Sequence, residues 1–300
     1  MKNKLRPVGR ITQSRPTIEG AGVRLRRALG YSDVPLFDPF LMLDDFGSAN
    51  PDDYLAGFPW HPHRGIETVT YMLEGEFEHG DSLGNRGLLR SGDVQWMTAG
   101  GGIIHQEMPK KYEGVMRGFQ LWVNLPSSKK MMEPRYRGIE KKDILETEIA
   151  KGVRAKLISG KLNGRTGTVK DLVVPIEYFD FFLEPGTSYI HETRKEWNAF
   201  CYVIEGTGLF GKEERAVSGG HLVHFENGEN IRVITKKEPL RFLFASGPRI
   251  GEPVAWGGPI VMNTQEELEL AFAELNEGTF LKGSKNSAPA SRVSGSFYRK

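Results

Sequence analysis

Cysteine is nearly missing from this sequence: Cys201 is the only one in 300 residues. That excludes an internal disulfide framework and any zinc site built on cysteine, and it fits a reducing compartment. An excess of one charge is also missing. Lys and Arg number 40 against 38 Asp and Glu, a net +2, so the chain lacks the footprint of a dedicated nucleic-acid binder and direct nucleic-acid contact is not expected. No segment approaches the roughly 20 apolar residues of a membrane span, and the basic opening MKNKLRPVGRITQS lacks the apolar run of a secretory signal. These absences predict a cytoplasmic protein, or a nuclear one in a eukaryote, with no membrane role. Histidine is scarce as well, at seven, so the pair His61 and His63, separated by one proline, stands out.

Glycine and proline are plentiful, 36 and 17. The short segments between them, such as ETVTYMLEGEFEHGDS, GFQLWVNLP and FCYVIEGTGLF, are rich in Val, Ile, Phe and Tyr and read as strands joined by turns. Helical periodicity is convincing only in TQEELELAFAELNEG. There Leu268, Leu270, Ala271, Ala273 and Leu275 are expected to form an apolar face, with Thr264 as cap and Gly278 as terminator. TYMLEGEFEHGDSLGNRGLLRSGDVQWM and CYVIEGTGLFGKEERAVSGGHLVHF repeat one order: strand, Glu-Gly turn, strand, polar turn, glycine-led strand. A repeat of this kind predicts a duplicated all-β unit whose sandwich or barrel hides its strand edges. The boundaries are read as 1–130 for a first, metal-binding domain and 131–145 for a charged connector. A second, metal-free domain is read over 146–280, and a flexible Ser/Gly/Lys-rich tail over 281–300.

Residues two apart on a strand project from one face, so His61 and His63 can aim both imidazoles into one pocket, and His105 and Glu107 in GGGIIHQE can do the same. Two such strands side by side bring three imidazoles and a carboxylate to a point. That donor set, with positions left open, suits one divalent first-row metal, iron first, with manganese, nickel, copper or zinc as alternatives. An isolated His-x-His is a weak signal; the second pair in a comparable strand context strengthens it. Gly100 to Gly102 precede a strand rather than a helix, so a tight turn that sets the register of His105 is expected there, not a phosphate loop.

GFPWHPHRGIETVTYMLEG followed by GDVQWMTAGGGIIHQE resembles the two metal-binding motifs of the cupin superfamily. With LFDPFLMLDDFG and GFQLWVNLP, it resembles the pirin family more closely still. The resemblance implies two tandem cupin domains, each a double-stranded β-helix or jelly roll, followed by a short C-terminal helix. It implies metal ligands His61, His63, His105 and Glu107. Counting back from Gly75, the usual cupin glutamate position falls on Thr68, and Glu67, one residue off, is expected to face away. Before YVIEG in the second half there is no His-x-His, so His191, His221 and His224 are read as surface or turn residues.

Phe58, Trp60, Arg64, Trp96 and Phe119 are candidates for lining a pocket around the metal, with Met97 beside them. Arg64 is placed either on an anionic substrate or in a salt bridge fixing its loop, and Asp44 and Asp45 lie in LMLDDFG. Core packing is the more frequent fate of such aromatic side chains. By resemblance, the function is flavonol dioxygenation: a small aromatic substrate such as quercetin, O2, and Glu107 as both ligand and catalytic base. The alternative that the same resemblance implies is a non-enzymatic, iron-dependent regulator or transcription co-regulator that binds a protein partner. Likeness of fold does not select between them.

Overall fold

A computed structural model describes residues 4–282; most of the predicted tail, from 283 onward, lies outside the described residues. In chain order the strands begin β1 (Val8–Gln13), β2 (Arg15–Glu19), β3 (Val23–Leu29), β4 (Phe40–Ser48), β5 (Phe58–His63), β6 (Ile66–Glu74), β7 (Glu76–Asp81), β8 (Arg86–Arg90), β9 (Val94–Thr98), β10 (Ile103–Pro109), β11 (Met116–Asn124) and β12 (Arg135–Ile139). They continue with β13 (Leu145–Ala150), β14 (Val153–Ser159), β15 (Lys161–Leu162), β16 (Arg165–Thr166), β17 (Glu177–Leu183), β18 (Ser188–Glu192), β19 (Asn198–Glu205), β20 (Thr207–Phe210), β21 (Arg215–Ser218), β22 (His221–Phe225), β23 (Asn230–Thr235), β24 (Leu240–Gly247), β25 (Ala255–Gly257) and β26 (Ile260–Met262). One helix, α1 (Gln265–Asn276), follows. No helix among the described residues is long and apolar enough to cross a membrane.

The duplication seen in the sequence is a duplication of sheet order. One seven-stranded sheet runs β2-β3-β4-β11-β6-β9-β12 and the other β13-β14-β17-β24-β19-β22-β1. Each has a four-stranded companion, β8-β7-β10-β5 in one case and β21-β20-β23-β18 in the other. Two sheets per copy bury one face of each against the other, the arrangement expected of a cupin jelly roll. Central strands are covered on both faces: in β6 every residue from Ile66 to Leu73 is buried. The edge strand β13 instead alternates half-buried and exposed positions along LETEIA.

The copies do not follow the chain boundaries read from the sequence. Among the described residues, one compact unit comprises 4–15, 28–39 and 142–249, and the other 16–27, 40–141 and 250–282. The start of the chain supplies β1, which pairs with β22, and the Arg6 guanidinium seats it. Buried Arg6 donates to Thr193 Oγ1 at 2.8 Å and to the carbonyls of Arg194, Trp197 and Glu226. The charged connector contributes edge strand β12, paired with β9. The core of the first-named unit is rich in phenylalanine, including Phe179, Phe181, Phe242 and Phe244.

Helix α1 lies where its period placed it. Thr264 Oγ1 accepts from Glu267 N–H at 3.2 Å in a capping box, and Gly278 follows with φ +74°. Its apolar face differs from the expectation: Leu270 and Ala273 are exposed, and Phe272 joins Leu268, Ala271 and Leu275. That is the i, i+3, i+4, i+7 stripe, from which Leu270 and Ala273 are rotated away.

Glu177 is buried with one carboxyl oxygen unpartnered. Burial pushes its pKa up to about 7, against the pull of Arg194 and Arg6. A carboxyl whose pKa is raised on folding holds its proton in the folded state over a range where the unfolded chain has lost it, so stability falls as pH rises from about 4.5 to about 7. Glu177→Gln is therefore expected to stabilise the fold at pH 8 by about 1–3 kcal/mol and to be near neutral at pH 4. Denaturant unfolding at both pH values checks this; an equal effect at both would contradict it.

Candidate metal centre

β5 and β10 pair antiparallel with His105 opposite His61 and Ile103 opposite His63, which puts three imidazoles on one face of the four-stranded sheet. The His61 ring centroid is 4.8 Å from that of His63 and 4.3 Å from that of His105. One ring nitrogen from each lies within 4.8 Å of the others, a group able to hold a metal ion. Upstream of His105, Gly100 has φ +50° and a Cβ there would come within 2.2 Å of the Met132 carbonyl oxygen, so the turn needs glycine.

Hydrogen bonds at the far side of each ring decide where the lone pairs point. The His61 Nδ1 contacts the Pro59 carbonyl at 2.8 Å and the His63 Nδ1 contacts the Pro259 carbonyl at 3.0 Å. A carbonyl only accepts, so both Nδ1 atoms carry the proton and both Nε2 atoms present lone pairs. Those two Nε2 atoms face each other at 3.1 Å. Both nitrogens of His105 are buried without a partner.

A shared proton would resolve the clash only by placing charge on a buried imidazole. Burial lowers the pKa of His61, although the Pro59 bond and the Glu107 charge act in the opposite sense; burial likewise lowers His63 and His105 well below the usual range. A divalent cation fits better. Two imidazole nitrogens each about 2.0–2.1 Å from one ion would stand roughly 2.9–3.4 Å apart, which brackets the observed contact.

Glu107 is buried on the same strand beyond a register shift. Its Oε1 accepts from Thr70 Oγ1 at 2.9 Å and Gln95 Nε2 at 2.8 Å, and its Oε2 from Gln120 Nε2 at 3.0 Å. Three donors hold the carboxylate in one pose, where its charge acts on His61; the group of side chains within 4.8 Å of one another comprises the three histidines and does not include Glu107. Thr70, Gln95 and Gln120 were absent from the sequence reading, though buried polar residues facing one side of otherwise apolar strands were the available signal. Glu67 is turned the other way: Thr98 Oγ1 donates to it at 2.6 Å, and Arg137 and Arg135 stand 3.7 and 3.8 Å away.

Strand alternation corrects two pocket candidates. Because Gln95 and Gln120 reach Glu107, their neighbours Trp96 and Phe119 project from the opposite face of the sheet, where both are fully buried and Arg137 lies over Trp96. Met97 is two residues from Gln95 and shares its face. Phe58 packs on the core of Val23, Phe46, Met72 and Phe77, and Trp60 on that of Ile104 and Ile260. Arg64 clamps its loop rather than reaching for substrate. It donates to the carbonyls of Gly101 and Phe280, pairs with Glu274 at 2.7 Å, and covers the Phe280 ring. Asp44 and Asp45 are held by Arg27 and Arg117. Aromatic rings that do flank the histidines are Trp122, 5.1 Å from His63, Trp256 beside it, and His79, 5.7 Å from His105 and donating to Asp81.

The corresponding strands of the other copy, β18 and β23, place His191 opposite Ile231, as His61 stands opposite His105. His191 is thus not a surface residue: it is buried among Phe179, Phe181 and Phe244, and burial lowers its pKa to about 3. His224 is also buried, against Phe37, and only His221 remains partly exposed.

Comparison with known proteins identifies the family and the fold. Residues 22–123 match the pirin family and residues 178–281 the pirin C-terminal cupin domain. A pirin-like protein of Caulobacter vibrioides is 45% identical over 92% of this chain and 99% of its own. A Pseudomonas aeruginosa protein named as a candidate quercetin 2,3-dioxygenase is 43% identical over 92% of this chain and 98% of its own. The crystal structure of quercetin 2,3-dioxygenase from Acinetobacter baumannii superimposes with a TM-score of 0.85 at 30% identity, covering 92% of this chain and 98% of that one.

Depressed imidazole pKa values predict that cation binding survives acidification. Three ordinary histidines would lose about a thousandfold in affinity between pH 7.5 and 5.5. Ni(II) titration calorimetry is expected to give a loss well short of that here; a thousandfold loss would contradict the buried, neutral assignment.

Proposed function

The chain belongs to the pirin family, and on that footing we propose that it is a metal-dependent dioxygenase that opens a flavonol such as quercetin with O2 at His61, His63, His105 and Glu107. The opposed Nε2 lone pairs of His61 and His63 are the observation that carries the metal, and relatives named for quercetin dioxygenation supply the substrate class. We take the ion to be Fe(II), with Mn, Ni, Cu or Zn accepted by the same donors. Such an ion, when bound, supplies Lewis acidity that lowers the pKa of an enol hydroxyl and fixes it beside O2.

The chain's own part is orientation and proton transfer. Glu107 Oε2 accepts a hydrogen bond from Gln120 and keeps a lone pair to take the hydroxyl proton of the substrate. Thr70 and Gln95, both on Oε1, hold that oxygen in place as the charge changes. Trp122 and Trp256 offer apolar ring faces for a flat substrate and exclude water from the site. Reducing conditions suit the single buried Cys201, and we place the protein in the cytoplasm.

Oxygen uptake with quercetin by the metal-loaded protein tests this. His61→Ala is expected to reduce both metal content and turnover to background, whereas Glu107→Gln is expected to retain metal and lose at least a hundredfold in rate. Metal-replete protein inert toward every flavonol tested would remove the enzymatic reading in favour of a metal-dependent regulator.

A further inference from the structure

The segment after β24 falls within the stretch that matches the pirin C-terminal cupin domain, yet it packs within the unit that carries the histidine cluster. Its contacts converge on the loop that joins the ligand pair to β6. The Pro259 carbonyl accepts a hydrogen bond from His63 Nδ1–H, and Val261 N–H donates to the Arg64 carbonyl at 3.1 Å. The buried Lys130 ammonium ties Gly65 to Val261, donating to both carbonyls at 2.9 and 3.0 Å and to Asn124 Oδ1 at 2.7 Å. The Arg64 guanidinium reaches onward to Phe280 and Glu274. Gly65 has φ +77°, and a Cβ there would stand 1.9 Å from the Val261 oxygen, so the approach is as close as a backbone allows.

We propose that residues 255–280 form a docked arm whose seating sets the affinity of the His61, His63, His105 centre for its cation, with Pro259 and Glu274 as positioning residues. This rests on the metal-centre reading above. With the arm seated, the Pro259 carbonyl fixes the His63 tautomer and aims Nε2 at His61; with it displaced, Arg64 and Lys130 lose buried partners and His63 is free to rotate. Partners of this kind on the far nitrogen of a ligand histidine are worth about 10–100-fold in metal affinity. Coupling is reciprocal: whatever the arm adds to cation affinity, the cation adds to the seating of the arm. The seated arm holds two lone pairs in opposition at 3.1 Å, a repulsion that a cation relieves.

The test uses the full chain and Ni(II) alone. Glu274→Gln combined with Phe280→Ala loosens the arm away from the ligands. The expected result is a Kd for Ni(II), by calorimetry, about tenfold weaker than that of the unaltered protein. In the unaltered protein, Ni(II) is expected to slow hydrogen exchange across α1 at least tenfold. Equal Ni(II) affinity in the double variant, or exchange in α1 indifferent to Ni(II), would overturn the coupling while leaving the metal centre intact. An unaltered protein that binds no Ni(II) would overturn the metal centre, and this proposal with it.

Discussion

The local chemistry turns on two imidazole nitrogens, unprotonated and 3.1 Å apart, held face to face by hydrogen bonds that occupy the other side of each ring. Two lone pairs do not approach so closely without something to share, and a buried proton is a poor solution where burial lowers both pKa values. The surroundings serve to keep that opposition in place. The strand pairing of β5 with β10 brings His105 to the same point. Clamps by Lys130 and Arg64 hold the loop beyond His63, and a three-donor cradle holds Glu107 alongside.

The two copies show how little backbone has to change for chemistry to appear or vanish. Their sheets have the same strand order, and the pairing of β18 with β23 repeats that of β5 with β10. Where the metal-competent copy sets His61 against His105, the other sets His191 against Ile231 and surrounds it with phenylalanine rings. One imidazole among apolar neighbours is a core side chain with a depressed pKa; three that share a face make a site.

The fold class, the duplication, the helix and the histidine constellation were legible in the sequence because each has a local period or spacing. The parity rule that turned Glu67 away from the histidines applies equally to Trp96 and Phe119, whose neighbours Gln95 and Gln120 occupy the site. Both rings are buried on the far side of their strands, the core packing that is the more frequent fate of such side chains. Other features leave no local trace. The pairing of β1 with β22 and the return of residues 255–280 to the ligand loop are contacts across some 200 residues, and no periodicity encodes them. The burial of His191 and His224 is likewise a property of what surrounds them rather than of their own strands.

Anomalous diffraction at the nickel edge, from crystals of the full chain grown with equimolar Ni(II), tests the central claim most directly. One peak per chain is expected, about 2.0–2.2 Å from Nε2 of His61, Nε2 of His63 and one ring nitrogen of His105. Crystals in which those three imidazoles keep their opposed arrangement with no peak between them, or in which the ion lies elsewhere, would contradict it.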